Sequence, residues 1–398
     1  MKLNVNIDRH GTDCLKYDFA VERNRPADVL PLWVADMDFQ TPEAVIKALT
    51  ERAAHGIFGY TDTKHDYFEA VSDWFRVQHG WTPEEEWLIK TPGVVFAIAM
   101  AVRAFTNDGD AVLIQPPVYY PFFEVVRDNK RRLVENELIL SDGRYEIDFE
   151  TLEKQLRDEK VRLMILCSPH NPVGRVWTLE ELEKIASLCL RYNVILVSDE
   201  IHCDFTRSGH KFTSVARLSE DIRDRAVICT APSKTFNLAG LQTSNIFIPN
   251  QKLRSAFIHQ LDAAGYSQLN TMGLLACKVA YREGADWLAA VKEYIEGNLS
   301  FLRGYIAENL TGVRLIEPEG TYLAWLDFGG IGLSGDELNR FITEKARLWL
   351  DGGNMFGGKS GSSARFQRIN LACGRDTLTQ ALERLKFAMM GLDKSTDS

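Results

Sequence analysis

Lys234 lies in the run Ala231-Pro232-Ser233-Lys234-Thr235-Phe236-Asn237-Leu238-Ala239-Gly240-Leu241, just beyond the apolar stretch Ala226 to Thr230, which reads as a buried strand. A lysine at a strand end, among small residues and beside an aromatic, is partly desolvated. That lowers the cost of its neutral amine and lets it condense with a carbonyl. Taken by itself the run fits an exposed loop lysine better, because most lysines are solvated surface groups. Two upstream runs change that reading. Ser198-Asp199-Glu200-Ile201-His202 follows the β-branched run Val194-Ile195-Leu196-Val197, and Cys167-Ser168-Pro169-His170-Asn171-Pro172-Val173-Gly174 follows Leu163-Met164-Ile165-Leu166. Both place polar residues at the carboxyl end of a parallel-type strand, where open α/β sheets bind their ligands.

Together Asn171, Asp199 and Lys234 describe a site for pyridoxal 5'-phosphate. The cofactor's ring is an electron sink only while its nitrogen is protonated, and a buried carboxylate such as Asp199 favours that form. Lys234 would hold the aldehyde carbon, and Asn171 can donate an amide hydrogen to the ring oxygen. Each residue also has an ordinary reading: Asp199 as a loop cap and Asn171 as a turn residue before proline. The cofactor's phosphate needs backbone donors, and Thr91-Pro92-Gly93-Val94-Val95 opens a segment that reads as a helix from Val94 to Phe105. A helix start offers free N–H groups, and Gly93 lets the backbone approach closely. Tyr119 follows the strand Ala111 to Gln115, where its ring could stack on the pyridine face or simply pack.

The order Asn171, Asp199, Lys234 resembles the fold-type I pyridoxal-phosphate enzymes. More local runs narrow the resemblance: Asp8-Arg9-His10-Gly11-Thr12-Asp13-Cys14-Leu15-Lys16-Tyr17-Asp18, Pro31-Leu32-Trp33-Val34-Ala35-Asp36-Met37-Asp38-Phe39 and Phe366-Gln367-Arg368-Ile369-Asn370-Leu371-Ala372-Cys373 are similar to the MalY/PatB branch of cystathionine β-lyases, within the class I/II aminotransferase superfamily. The resemblance covers nearly the whole chain and implies a carbon–sulfur lyase. Such an enzyme performs β-elimination on L-cystathionine or another cysteine S-conjugate, giving a thiol, pyruvate and ammonia. It also implies Tyr119 as the stacking aromatic, Arg368 as the anchor of the substrate carboxylate, and Ala35 with Trp33 and Asp36 on an N-terminal segment over the same crevice. Asn171 and Tyr119 would then touch substrate as well as cofactor. Tyr60, in Phe58-Gly59-Tyr60-Thr61, matches a tyrosine that reaches the phosphate from a neighbouring subunit, which implies a homodimer. A planar guanidinium suits Arg368 to its role, since it makes two parallel bonds to one carboxylate. An aminotransferase, or a regulatory protein that keeps the cofactor as a ligand, remains compatible with the same residues.

The chain departs from the superfamily pattern in three places. Ala231 and Gln242 stand where a serine and an arginine often serve the phosphate, so phosphate binding would rest on Gly93, Val94, Val95, Ser233 and Tyr60, or on another arginine. His202 stands where many aminotransferases have tyrosine; it can bond the ring oxygen or be a packed histidine. A competing motif, Gly330-Ile331-Gly332-Leu333-Ser334-Gly335, fits a dinucleotide fingerprint. It comes too late in the chain for the remaining strands of a nucleotide-binding half, and a plain strand-to-helix turn is the better reading.

The elements that must position these residues follow from periodicity. Short apolar strands at Trp87 to Lys90, Ala111 to Gln115, Arg162 to Cys167, Val194 to Ser198, Ala226 to Thr230 and Thr243 to Ile248 alternate with helical patterns, which predicts an α/β protein with a mostly parallel sheet. Helices are expected from Asp286 to Leu310 and from Gly335 to Leu350, around a strand from Tyr322 to Phe328. The expected organisation is an N-terminal arm joined to the small domain over residues 1–45, a large cofactor-binding domain with a seven-stranded type of sheet over 46–285, and a smaller α/β domain over 286–398. Gly352 to Ser363 reads as a flexible glycine- and serine-rich loop bordering the site, and Lys394 to Ser398 as a polar tail. Composition agrees: 398 residues, 45% hydrophobic and 25% charged, support a large core. A net charge of −9 argues against a nucleic-acid partner. The seven cysteines form no C-x-x-C pair and read as reduced, buried hydrophobes. No metal is expected. The start Met1 to Asp8 has no apolar signal core and no run is long enough to span a bilayer, which predicts a cytoplasmic location.

Overall fold

Alternate residues along Leu163-Met164-Ile165-Leu166 enter two different hydrophobic cores. Leu163 and Ile165 pack with Ala97, Ile98 and Val112, whereas Met164 and Leu166 pack with Leu182, Ile185 and Leu196. Successive side chains of a strand point to opposite faces, so this sheet is covered by helices on both sides and its strands read as continuous apolar runs. The computed structural model describes residue 3 and residues 6–358 and 361–393. The polar tail, and Lys359 and Ser360 of the glycine-rich loop, lie outside them.

The large sheet has seven strands: β1 (Leu88–Thr91), β2 (Ala111–Ile114), β3 (Arg132–Glu135), β4 (Val161–Cys167), β5 (Ile195–Asp199), β6 (Ala226–Thr230) and β7 (Ser244–Phe247), in the spatial order β1-β7-β6-β5-β4-β2-β3. β7 alone runs antiparallel, between β1 and β6; the pairs from β6 to β3 are parallel. The helix Val94–Phe105 lies where the sequence places it, and the long helix Ala285–Asn309 within a residue of expectation. β3 went unread because it is an edge strand of which Val134 is the one fully buried residue, so no apolar run marks it.

The second sheet is antiparallel: β8 (Arg314–Ile316), β9 (Leu323–Asp327), β10 (Asp351–Gly352) and β11 (Phe366–Asn370), ordered β8-β9-β11-β10. Both neighbours of β9 are antiparallel to it, so the glycines after it have no parallel β-α-β context for a dinucleotide. A Cβ on Gly330 would come within 2.5 Å of Gly312 Cα, so that glycine serves close backbone packing.

Two expectations need correction. The helix expected from Gly335 to Leu350 ends at Arg340, continues as one wide turn over Phe341–Lys345, and gives way to a strand, Leu348–Trp349. That strand pairs in parallel with Leu30–Pro31, and a partner so distant in sequence overrides local helix propensity. The described part of the Gly352 to Ser363 segment is not a free loop: Gly353–Phe356 and Ser362–Arg365 are 3-10 turns and Phe356 is fully buried. All seven cysteines are free thiols, buried except for the partly buried Cys14. Among the described residues, no helix is long and apolar enough to cross a membrane.

Candidate active site

The carboxyl ends of the parallel strands form one edge of the large sheet, and the polar residues singled out in the sequence follow them. Gly93 follows β1, Tyr119 follows β2, Asn171 follows β4, Asp199 ends β5, and Lys234 sits in the helical turn Pro232–Thr235 after β6. Arg368, from β11 of the other sheet, reaches this edge and donates through Nη1 to Asn171 Oδ1 at 2.9 Å. The site is thus closed between the two sheets.

Lys234 is partly buried, and its Nζ donates to the Ala35 carbonyl at 2.7 Å. Burial lowers its pKa to about 8; the nearby Arg368 charge adds to this while Asp36 and Asp199 oppose it. An amine in that range is ready to move protons near neutral pH. The N-terminal segment is held over the lysine by side chains the sequence reading did not single out. Asn237 donates to the carbonyls of Met37 and Phe39 and accepts from the Met37 amide, each at 2.9 Å. Asn370 donates to the Val34 carbonyl at 2.7 Å and the Asp36 carbonyl at 2.5 Å. Tyr322 donates to the Ala35 carbonyl at 2.8 Å, sharing that acceptor with Lys234. Only Asn237 carried a signal, its place three residues after the lysine.

Asp36 and Asp38 are engaged in ion pairs within the N-terminal region. Arg9 donates to both, at 2.7 and 2.8 Å, and the buried Lys16 pairs with Asp38 at 2.9 Å. These ion pairs join the two N-terminal runs that resemble the lyase branch.

Asp199 is 4% exposed, and its Oδ1 accepts from the Ile201 amide at 3.1 Å. Burial pushes its carboxyl up to about 7, although the Ile201 amide and the Lys234 charge favour the anion. A buried carboxyl with so little compensation is suited to a cationic ring nitrogen. His202 is buried with Nδ1 lacking a hydrogen-bond partner, and burial, with Lys234 and Arg368 nearby, holds the ring well below its usual pKa and therefore neutral. The helix Val94–Phe105 has no side-chain cap at Gly93, and a Cβ there would meet open space, which leaves first-turn amides of Val94 and Val95 for an anion. These features fit pyridoxal phosphate: an acid for the ring nitrogen, an amine for the aldehyde and an uncapped helix start for the phosphate.

Arg368 is 3% exposed and fixed on several sides. Nη2 donates to the Trp33 carbonyl at 2.8 Å and to the Asp351 carboxylate, and the guanidinium lies 5.1 Å from the Phe356 ring centroid. Its buried Nε lacks a partner, which leaves one donor for an incoming carboxylate. Neither Asp351 nor Phe356 was read as a site residue. Tyr119 is partly buried with its hydroxyl pKa raised, chiefly by burial, and it interacts electrostatically with Arg368 and Asp199. Ser233 is partly buried in the lysine turn. Of the departures, Ala231 is buried and Gln242 is exposed with a left-handed backbone, φ 49°. Tyr60 is not brought to the site within one chain; it is 98% exposed.

Residues 27–385 match the family described as Aminotransferase class I and II. The chain is 44% identical over 390 residues to cystathionine beta-lyase PatB of Bacillus subtilis, covering 98% of this chain and 100% of that one. It is 32% identical over 381 residues to protein MalY of Escherichia coli, covering 95% and 96%. The crystal structure of cystalysin from Treponema denticola, which contains a pyridoxal 5'-phosphate cofactor, superposes with a TM-score of 0.94 at 37% identity, covering 98% of this chain and 99% of that one. A site built on the strand edges of this sheet, and similarity that runs the length of the chain, place the protein in the aminotransferase class I and II family, in its MalY/PatB group of pyridoxal-phosphate enzymes.

Proposed function

We propose that the protein is a pyridoxal-phosphate-dependent carbon–sulfur lyase that converts L-cystathionine or a related cysteine S-conjugate into a thiol, pyruvate and ammonia. The observation that carries this reading is the convergence of Lys234, Asp199, Asn171 and Arg368 on one strand edge, in a chain similar over its whole length to a cystathionine beta-lyase. When bound, the cofactor supplies an electron sink for the pair left at the substrate's α-carbon. Arg368 receives the α-carboxylate, with Nε as its uncommitted donor. Lys234, with its lowered pKa, takes the α-proton at Nζ, and Asp199 would favour a protonated ring nitrogen. Asn171 and the neutral His202 would serve the ring oxygen, Tyr119 would pack on the ring, and Gly93, Val94, Val95 and Ser233 would hold the phosphate. Ala35 and Trp33 bound the substrate from the N-terminal arm.

The same reading makes the active unit a cytoplasmic homodimer in which Tyr60 completes the partner's phosphate site. The exposure of Ile57, Phe58 and Tyr60, at 65%, 60% and 98%, supports a covered surface there. It also divides the chain near residues 45 and 285 into arm, cofactor-binding domain and small domain.

The test is to incubate cofactor-loaded protein with L-cystathionine, add no oxo-acid acceptor, and follow pyruvate. Release over many turnovers is expected. Absence of pyruvate with accumulation of aminated cofactor would replace this reading with an aminotransferase, and a single slow stoichiometric release would favour a regulatory protein.

A further inference from the structure

The turn that carries Lys234 is tied to the turn that follows Asp199. Thr235 Oγ1 donates to Asp204 Oδ2 at 2.6 Å, and both side chains are buried. Asp204 lies five residues after Asp199, at the end of the turn at residues 201–204. Its Oδ1 accepts from Trp74 Nε1 at 3.2 Å and pairs with His79 Nε2 at 2.8 Å. Burial alone would raise this carboxyl; His79 and Thr235 outweigh burial and hold it below the usual carboxylate range. Asp204 is therefore an anion in the core, rigidly held from several directions.

That arrangement matters because Lys234 and Asp199 must engage opposite ends of one pyridine ring. The aldehyde carbon and the ring nitrogen stand para to each other, so the separation of the two side chains is set by a rigid molecule. Lys234 precedes Thr235 by one residue, and Asp204 ends the turn that follows Asp199. We propose that Thr235 and Asp204 are positioning residues whose buried hydrogen bond fixes the spacing between Lys234 and Asp199. The inference rests on the cofactor reading above. Ligand atoms of His79, Cys203 and Asp204 also lie within 4.8 Å of one another, as a cation site would require. Both Asp204 oxygens are already accepting, however, and the nearby Lys292 charge opposes a bound cation.

The experiment compares cofactor-loaded Thr235→Val, which keeps shape and loses the hydroxyl, with Thr235→Ser, which keeps the hydroxyl. Three quantities are read: the pH titration of the bound cofactor's visible absorbance, kcat against KM, and Tm. For Thr235→Val we expect a shifted absorbance titration and a loss in kcat of about tenfold to a hundredfold with KM within about twofold, because small misplacements of reacting groups are costly. Thr235→Ser should restore both. A Thr235→Val enzyme with lowered Tm but wild-type titration and kcat would overturn the proposal and leave a purely structural hydrogen bond. Should Thr235→Val not fold, Asp204→Asn is read in the same way against wild type. The absorbance titration needs no substrate, so a protein that makes no pyruvate would overturn the lyase reading while the titration still decides this one.

Discussion

Arg368 and Asp351 face each other across the antiparallel pair β11 and β10, and the guanidinium donates to that carboxylate while also holding Asn171 and the Trp33 carbonyl. Both are buried, at 3% and 2% exposure. Burial raises the Asp351 carboxyl and the Arg368 charge opposes that rise. Removing one partner leaves an uncompensated charge, so Asp351→Ala should destabilise the protein by about 3 to 5 kcal/mol. The double variant with Arg368→Ala should lose less than the sum, because the pair is one interaction unit. Urea unfolding of the four proteins measures the coupling, and an additive result would refute it.

Lys234→Ala should abolish turnover, since it removes the amine proposed to take the α-proton. Asp199→Asn keeps shape and loses the charge, and should lower kcat by about a hundredfold or more. Steady-state rates on the same S-conjugate check both, and wild-type rates in Lys234→Ala would end the assignment.

In the cofactor-free protein the Asp199 carboxyl sits at about 7 against an ordinary 3.8. Between those values the folded state holds a proton that the unfolded state has lost, so this group makes stability fall as pH rises from about 4 to 7. Lys234, lowered from 10.5 to about 8, has the opposite effect in its own window: there the unfolded state binds the extra proton, and stability rises with pH from about 8 to 10.5. Asp199→Asn should flatten the acid-side slope. Unfolding free energies at pH 5 and 7.5, for wild type and variant, give the comparison; identical slopes would contradict the burial argument.

Asn237→Ala removes the three hydrogen bonds that clamp residues 37 and 39 beside the lysine. Each is worth about 0.5 to 1.5 kcal/mol, so a loss of about 2 kcal/mol is expected. Because Ala35 and Trp33 belong to the clamped segment, KM should rise more than kcat falls. Thermal unfolding and a substrate titration separate the two effects.

Gly357 has φ 81°, and a Cβ there would come within 2.1 Å of the Phe123 ring. Gly357→Ala should therefore displace the turn that seats Phe356 under Arg368, costing about 1 to 3 kcal/mol. An increase in KM for amino-acid substrates, beside a lowered Tm, is the expected signature.

The large sheet was legible because its central strands are buried on both faces, and that burial writes uninterrupted apolar runs into the sequence. Lys234, Asp199 and Asn171 were legible for the same reason, as polar residues directly after such runs. β3 was not, since an edge strand carries no such run, and neither was the strand Leu348–Trp349, whose pairing partner lies at Leu30–Pro31. Asp351 was not read as a site residue; its register opposite Arg368 depends on strand pairing that no local pattern encodes.

The sequence by itself determined the fold class, the cofactor class and which polar residues stand at the ends of the central strands, because residue type and strand-end position are local properties. The tertiary structure decided what surrounds them: Asp351 and Phe356 around Arg368, Asn237 and Asn370 on the arm, and Asp204 on Thr235, next to Lys234 in the chain. Those contacts join residues far apart in the chain, and their distances and burial exist only once the two sheets have closed on each other.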